Sequence, residues 1–131
     1  AKLAAQHGFK VIPVGEAVRL YRERLPVDYG RLLSEDEIGR LEKGAVIDFH
    51  GDVTGRSFWD EKSGRVQYDS YHMNREGAYL QACVWLAALF DTDVTRLAYE
   101  PAIGGFGAKA ALMRRCAAEA VASAGREVGS K

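Results

Sequence analysis

The sequence predicts an α/β fold, and three of its features support that prediction. A helix, a short apolar strand and a second helix follow one another between residues 2 and 25, an order that is typical of α/β proteins. A polar stretch in the middle of the chain contains the pattern of a β-hairpin. A run of apolar residues from 79 to 90 then suits a buried helix.

The amino-terminal elements are predicted from composition and spacing. Residues 2–7 have a helical composition. Residues 9–14 (FKVIPV) form a short, apolar, β-branched run, which is typical of a buried parallel strand. Pro13 marks the end of that strand, because proline has no N–H to donate. Residues 16–25 return to helical spacing, and Pro26 ends the second helix.

Residues 29–68 are largely polar and are predicted to form an insertion. Ser34, followed by three acidic residues, is the N-cap signature of a short helix. Residues 45–49 (AVIDF) indicate another short strand. A hairpin follows, in which Gly64 supplies the positive φ of the turn. The arms of this hairpin are residues 57–60 and 65–68.

Two helices are predicted in the carboxy-terminal half. Asn74 suits an N-cap, because its side-chain oxygen can accept a bond from a free N–H of the first turn. Glu76 suits the positive end of the helix dipole. Between residues 79 and 90 apolar side chains cover nearly every face, which predicts a helix that is buried all round. Residues 108–124 form an Ala-rich helix, and residues 126–131 are expected to fray.

Length and composition limit the possible functions. A chain of 131 residues is expected to form a single domain. Because it opens on what reads as the end of a helix, that domain is expected to be partial. The numbers of basic and acidic side chains are both 18, so no net charge attracts a nucleic acid. The apolar run at 79–90 is shorter than the ~20 residues that span a membrane. Cys83 and Cys116 are predicted to be buried thiols rather than a disulfide.

Asp69 and His72 are the candidate catalytic residues. A histidine titrates near pH ~6.5, so it can take and return a proton at neutral pH. A carboxylate that accepts from one ring N–H fixes the tautomer of the imidazole. The two residues are three apart on a turn, where their side chains can meet. The alternative is structural, with His72 capping the following helix and Asp69 making a turn.

The residues around this pair carry a resemblance to a known family. The string DSYHMNREGAYL at residues 69–80 resembles the last sequence block of the SGNH (GDSL-like) hydrolase superfamily. In that family a D-x-x-H motif supplies the acid and base of a Ser-His-Asp triad, and a glycine follows in the next helix, where Gly77 matches. Residues 10–17 and 98–101 also resemble family segments. The resemblance implies that the chain is the C-terminal part of a flavodoxin-like three-layer α/β/α sandwich, with the hairpin as an insertion.

The family's nucleophile block is not found in the chain. The family carries its serine in a G-D-S motif, and no serine here has that context: Ser34, Ser57, Ser63, Ser70, Ser123 and Ser130. The resemblance therefore implies that another polypeptide segment or chain brings the serine. It also implies an ester substrate of the acyl or acetyl type, with carbohydrate-linked esters among the candidates. The chain alone is not expected to be active, and no cofactor is predicted.

Other readings of the sequence remain open. The chain can instead be a non-catalytic subunit that completes the fold of a partner. A metal-dependent hydrolase is a lesser alternative, because two histidines and three carboxylates could together bind a divalent ion: Asp48, His50, Asp52, Asp69 and His72. The Gly-rich residues 104–107 are predicted to be a flexible loop rather than a phosphate cradle. A P-loop has the sequence Gly-Lys-Ser/Thr, whereas Lys109 here lies between Ala108 and Ala110. Four aromatic residues lie near Asp69 in sequence and either line a pocket or pack within the hairpin: Phe58, Trp59, Tyr68 and Tyr71.

Overall fold

The computed structural model describes residues 2–25, 33–45, 52–101 and 106–129. Over these residues the protein mixes helices with one small antiparallel sheet of two strands. The elements in chain order are α1 (Lys2–His7), α2 (Val14–Arg24), α3 (Glu35–Gly39), β1 (Thr54–Asp60), β2 (Arg65–Met73), α4 (Arg75–Phe90), a 3-10 turn (Val94–Arg96) and α5 (Phe106–Gly129).

The chain forms two compact units. The first, the helical unit, comprises Ala1–Arg24 and Ala78–Lys131. The second, the hairpin unit, comprises Leu25–Gly77 and includes the insertion predicted at residues 29–68.

The core of the helical unit forms where α2 and α4 contact α5. Helix α2 buries one face, and α5 packs against it. The ring of Tyr79 on α4 meets the ring of Phe106 on α5 edge to face, with centroids 5.2 Å apart. Both cysteines are free and buried, as predicted. The side chains of this core with the least exposure are Ala17, Tyr21, Leu80, Cys83, Val84, Val94, Phe106, Ala110, Met113, Cys116, Ala117 and Ala120.

The hairpin unit is built on the predicted hairpin. The strands β1 and β2 pair in antiparallel register, with Asp60 opposite Arg65 next to the turn. Gly64 has a φ of 61°, a conformation that glycine adopts without steric cost. Helix α3 begins with the predicted capping box, in which Ser34 and Glu37 bond reciprocally. Its Ile38 packs on β2, in a small core with Val66, Leu41, Trp59 and Tyr68.

The strand predicted at residues 9–14 is wrong. Val14 begins α2, and residues 9–13 have no regular secondary structure. A strand exists only through hydrogen bonds to a neighbour, and the described residues provide none beside this segment. Phe9 and Ile12 are exposed. An apolar sequence alone therefore did not produce a strand here.

The prediction for α4 is only half right. The helix forms with Asn74 before its first turn and Glu76 within it, as predicted. It is not buried all round, however, because Trp85, Leu89 and Phe90 are exposed.

Three further predictions concern the end of α5 or segments that lie wholly or partly outside the described residues. Helix α5 continues to Gly129, beyond the predicted end at residue 124 and into the segment expected to fray. The strand predicted at 45–49 falls largely, and the Gly-rich loop at 104–107 partly, outside the described residues. Within the described part of the chain, no helix has the length and apolarity needed to cross a membrane.

Candidate functional site

The hairpin places Asp69 opposite Arg56. Counted from the turn, the antiparallel register pairs these two residues across the strands. Beyond them the register shifts, between Arg56 and Thr54. Because Thr54 then pairs with Met73, the residues 70–72 of β2 lie opposite the single residue 55 of β1. Asp69 and His72 therefore lie at an irregular end of β2, whereas the sequence predicted a short loop.

The carboxylate of Asp69 organises this end of the strand. Its Oδ1 accepts the backbone N–H groups of Tyr71 and His72, each at 3.1 Å. Its Oδ2 lies 2.7 Å from Nδ1 of His72 and accepts the Nε–H of Arg56 at 3.0 Å. Both candidate residues are thus in direct contact, and four donors hold one carboxylate in place.

These hydrogen bonds keep Asp69 ionised. The backbone N–H of His72, followed by the N–H of Tyr71, the ring of His72 and the guanidinium of Arg56, holds the pKa of Asp69 well below its usual range. Partial burial acts in the opposite direction and is outweighed. Asp69 is therefore a carboxylate at neutral pH, and it can only accept hydrogen bonds.

The charge on Asp69 determines which nitrogen of His72 can act as a base. Because Oδ2 of Asp69 accepts, Nδ1 of His72 must carry the proton of the 2.7 Å bond. In the neutral ring, Nε2 then has a lone pair. The side chain of His72 is 71% exposed, whereas that of Asp69 is 16% exposed. A covered carboxylate thus orients an exposed imidazole, which is an arrangement suited to general base catalysis.

Asn74 fixes the chain directly after the pair. Its Oδ1 accepts the N–H of Gly77 at 2.9 Å, as an N-cap does. Its Nδ2 donates to the backbone oxygen of Asp52 at 2.7 Å, and its own N–H donates to the oxygen of Val53 at 3.1 Å. The junction between β2 and α4 is therefore tied to the residues that precede β1, and the position of His72 is restrained from both sides.

Gly77 is required by the closeness of that packing. A Cβ atom at residue 77 would lie 1.9 Å from the backbone oxygen of Val53 and 2.6 Å from Sδ of Met73. A backbone atom cannot move away cheaply, so any side chain here would push the helix start away from Val53. The glycine noted in the sequence thus has a steric reason in this fold.

The four aromatic residues of the hairpin divide between its two faces. Trp59 and Tyr68 pack against the small core of the unit, so they belong to the hairpin's own structure. Phe58 is 51% exposed and Tyr71 is 90% exposed. Phe58 is two residues from Arg56 on β1, on the face that carries Asp69, and it remains a candidate for contact with a substrate.

The described residues do not provide a set of ligands for the metal ion considered above. Asp48 and His50 lie outside them. Asp52 is buried and accepts from the N–H of Val53 and the hydroxyl of Thr54. Within the described part of the chain, no group of three metal-binding side chains comes together.

Arg56 is the site residue that the sequence reasoning missed. It contacts the same carboxylate oxygen as His72, and its side chain is 54% exposed. The signal was available in the hairpin: the turn places Asp60 opposite Arg65, and counting back along both arms brings Arg56 opposite Asp69.

The described residues supply no nucleophile to this site. None of their serine hydroxyl groups hydrogen-bonds to His72, whose side-chain partner is Asp69. Comparison with protein-family models, with curated proteins and with solved structures returned no match. We therefore infer the function of the chain from the geometry of Asp69, His72 and Arg56.

Proposed function

We propose that the chain supplies the base and its orienting acid to a serine ester hydrolase of the SGNH type, and that the serine comes from polypeptide outside these residues. The observation that supports this proposal is the 2.7 Å bond between Nδ1 of His72 and Oδ2 of Asp69, with the imidazole exposed. The exposed ring leaves Nε2 within reach of a hydroxyl group from elsewhere. On this proposal, the chain belongs to the C-terminal part of a flavodoxin-like three-layer α/β/α sandwich.

In the proposed reaction, Nε2 of His72 takes the proton of the serine hydroxyl as the serine oxygen bonds to the ester carbonyl carbon. The tetrahedral intermediate then breaks its bond to the alcohol oxygen, and His72 returns the proton to that oxygen. A water molecule attacks the acyl-serine with the same proton transfers, which releases the carboxylic acid and restores the serine. Asp69 keeps the imidazole in the required tautomer and stabilises its charged form.

Arg56 is proposed to be a positioning residue. It donates to the oxygen of Asp69 that also faces His72. It therefore restrains the carboxylate without contacting the ester in the reaction described above. The family resemblance suggests an acyl or acetyl ester as the substrate class, with carbohydrate-linked esters among the candidates.

The test is ester hydrolysis by the native particle, isolated through a tag on this chain. His72→Ala is expected to lower kcat/KM for p-nitrophenyl acetate by about a thousandfold or more, and Asp69→Asn by about a hundredfold or more. His7→Ala is the matched control, because His7 belongs to the helical unit and stacks on Phe9. Unchanged hydrolysis in His72→Ala would rule out the proposed role.

A second candidate function is favoured by one observation. The exposed apolar face of α4 suits a subunit that completes the fold of a partner without taking part in chemistry. This reading predicts a stable particle in which His72→Ala and wild type have the same activity. The hydrolysis experiment therefore separates the two functions.

A further inference from the structure

An open cleft lies in the helical unit, apart from the residues considered above for catalysis. Its volume is about 380 Å³, which is near the lower end of the range for sites that bind small molecules. Every residue that lines it belongs to the helical unit. Its walls come from α1 and the segment after it, from the end of α4 and from the carboxy-terminal half of α5.

Most of the cleft wall is apolar. Val11, Ala88, Val121 and Ala124 contribute small or branched side chains to it. Phe9 also lines the cleft and is 67% exposed. A ligand with an apolar body would remove this surface from water, which favours its binding.

One positive charge lines the cleft. The ammonium group of Lys10 donates to the backbone oxygen of Ala88, in the last turn of α4, at 3.1 Å. An ammonium group has three N–H donors, and no carboxylate of the described residues pairs with that of Lys10. The bond to Ala88 therefore holds the charge at the cleft and leaves donors for an anionic group.

One negative charge lines the cleft as well. Asp91 directly follows α4 and has a φ of 51°, a left-handed conformation that glycine or asparagine usually adopts at the end of a helix. Within the part of the chain that the structure describes, its carboxylate has no hydrogen bond and no ion pair. Because glycine would suit this backbone better, the fold itself gives no reason for a carboxylate here. The negative end of the α4 dipole adds to the attraction for a cation at this place.

We propose that this cleft binds a small zwitterion with an apolar body, namely a free α-amino acid with an apolar side chain. Lys10 binds its carboxylate, Asp91 binds its ammonium group, and the apolar wall contacts its side chain. The two charges lie at the same end of α4, since Lys10 is bonded to Ala88 and Asp91 is three residues further along. An apolar ligand with a single charge would leave one of them without a partner.

The experiment titrates the native particle, isolated through a tag on this chain, with three compounds by isothermal titration calorimetry. L-Leucine carries both charges, isopentylamine lacks the carboxylate, and 4-methylpentanoate lacks the ammonium group. L-Leucine is expected to bind at least about tenfold more tightly than either analogue, because each analogue loses a hydrogen bond between charged groups. No binding of L-leucine, or equal or tighter binding of an analogue, would overturn the proposal.

Two variants assign the charges. Asp91→Gly removes the carboxylate and suits the backbone at that position, so the chain is expected to stay folded. It should weaken the binding of L-leucine at least about tenfold without weakening that of 4-methylpentanoate. Lys10→Met should weaken the binding of L-leucine by a similar factor without weakening that of isopentylamine. Asp36→Asn and Lys62→Met, at exposed positions of the hairpin unit, are the matched controls. An affinity for L-leucine that is unchanged in Asp91→Gly and in Lys10→Met would refute the proposed contacts.

A further pair of variants tests the cleft itself. Ala124→Phe fills the cleft from α5, whereas Ala122→Phe adds the same side chain at an exposed position of α5 that does not line it. Binding of L-leucine is expected to be lost in Ala124→Phe and retained in Ala122→Phe. Full affinity in Ala124→Phe would show that the amino acid binds elsewhere. None of these measurements depends on ester hydrolysis, so this proposal and the hydrolase proposal fail separately.

Discussion

Two parts of the molecule differ in how completely their side chains are hydrogen-bonded or buried within the chain. Around Asp69 and Asn74, the polar side chains bond to groups within the same unit, and the backbone packs so closely that residue 77 must be glycine. Along residues 9–12 and the outer face of α4, several apolar side chains are exposed instead, among them Phe9, Trp85 and Phe90. The first part is built to hold a geometry. The second part leaves apolar side chains in contact with solvent.

The largest expected effect contrasts the two faces of α4. Leu80 is fully buried, so Leu80→Ala is expected to lower the free energy of unfolding by about 2–5 kcal/mol. Leu89 is 43% exposed, and Leu89→Ala is expected to cost less than about 1 kcal/mol in the isolated chain. Urea unfolding followed by circular dichroism measures both. Equal losses would mean that the outer face is already covered within the chain.

The second prediction concerns the close packing at Gly77. Gly77→Ala is expected to destabilise the chain by about 3 kcal/mol, because the new methyl group would overlap the backbone oxygen of Val53. Gly15→Ala in α2 is the control, since no atom lies within 4 Å of its added Cβ. That control should stabilise the chain by about 0.5–1 kcal/mol. A Gly77→Ala variant as stable as wild type would refute the tight junction.

The third prediction tests the anchor after the catalytic pair. Asn74→Ala is expected to cost about 1–2 kcal/mol, because α4 loses its N-cap and the backbone oxygen of Asp52 loses a donor. Asn74→Ser keeps an N-cap acceptor and places no second acceptor against the backbone oxygen of Asp52, so it should recover the capping part of that loss. If both variants unfold like wild type, the junction does not depend on Asn74.

The smallest expected effect is a pH dependence at Asp69. Its pKa is lower in the folded chain than in the unfolded chain, where it is about 3.9. The charged carboxylate therefore stabilises the fold above about pH 5, and this contribution is lost as the pH falls below about 4. The gap in stability between wild type and Asp69→Asn should be widest near neutral pH and narrow in acid. A gap that is constant from pH 7 to pH 3 would contradict the hydrogen bonds assigned to Asp69.

The sequence predicted best those features that depend on residues close together in the chain. The caps at Ser34 and Asn74 and the turn at Gly64 each depend on neighbours a few residues away, and all three formed as predicted. The contact between Asp69 and His72 also spans only three residues. Their catalytic role is a different matter and stays a prediction.

What the sequence could not provide depends on distant parts of the chain or on other molecules. The apolar run at 9–14 does not form a strand, because that requires a partner that composition does not reveal. The apolar run of α4 did not reveal which face would be covered within the chain. The contact of Arg56 with Asp69 required the hairpin register, since 13 residues separate the two in sequence.

The central claim is that His72, oriented by Asp69, activates a serine that lies outside these residues. The most direct measurement is the rate at which a serine-reactive fluorophosphonate labels the native particle. We expect labelling of a serine on the partner polypeptide, slowed about a thousandfold in His72→Ala and unchanged in His7→Ala. A particle that is not labelled, or one that is labelled equally fast without the imidazole at position 72, would contradict it.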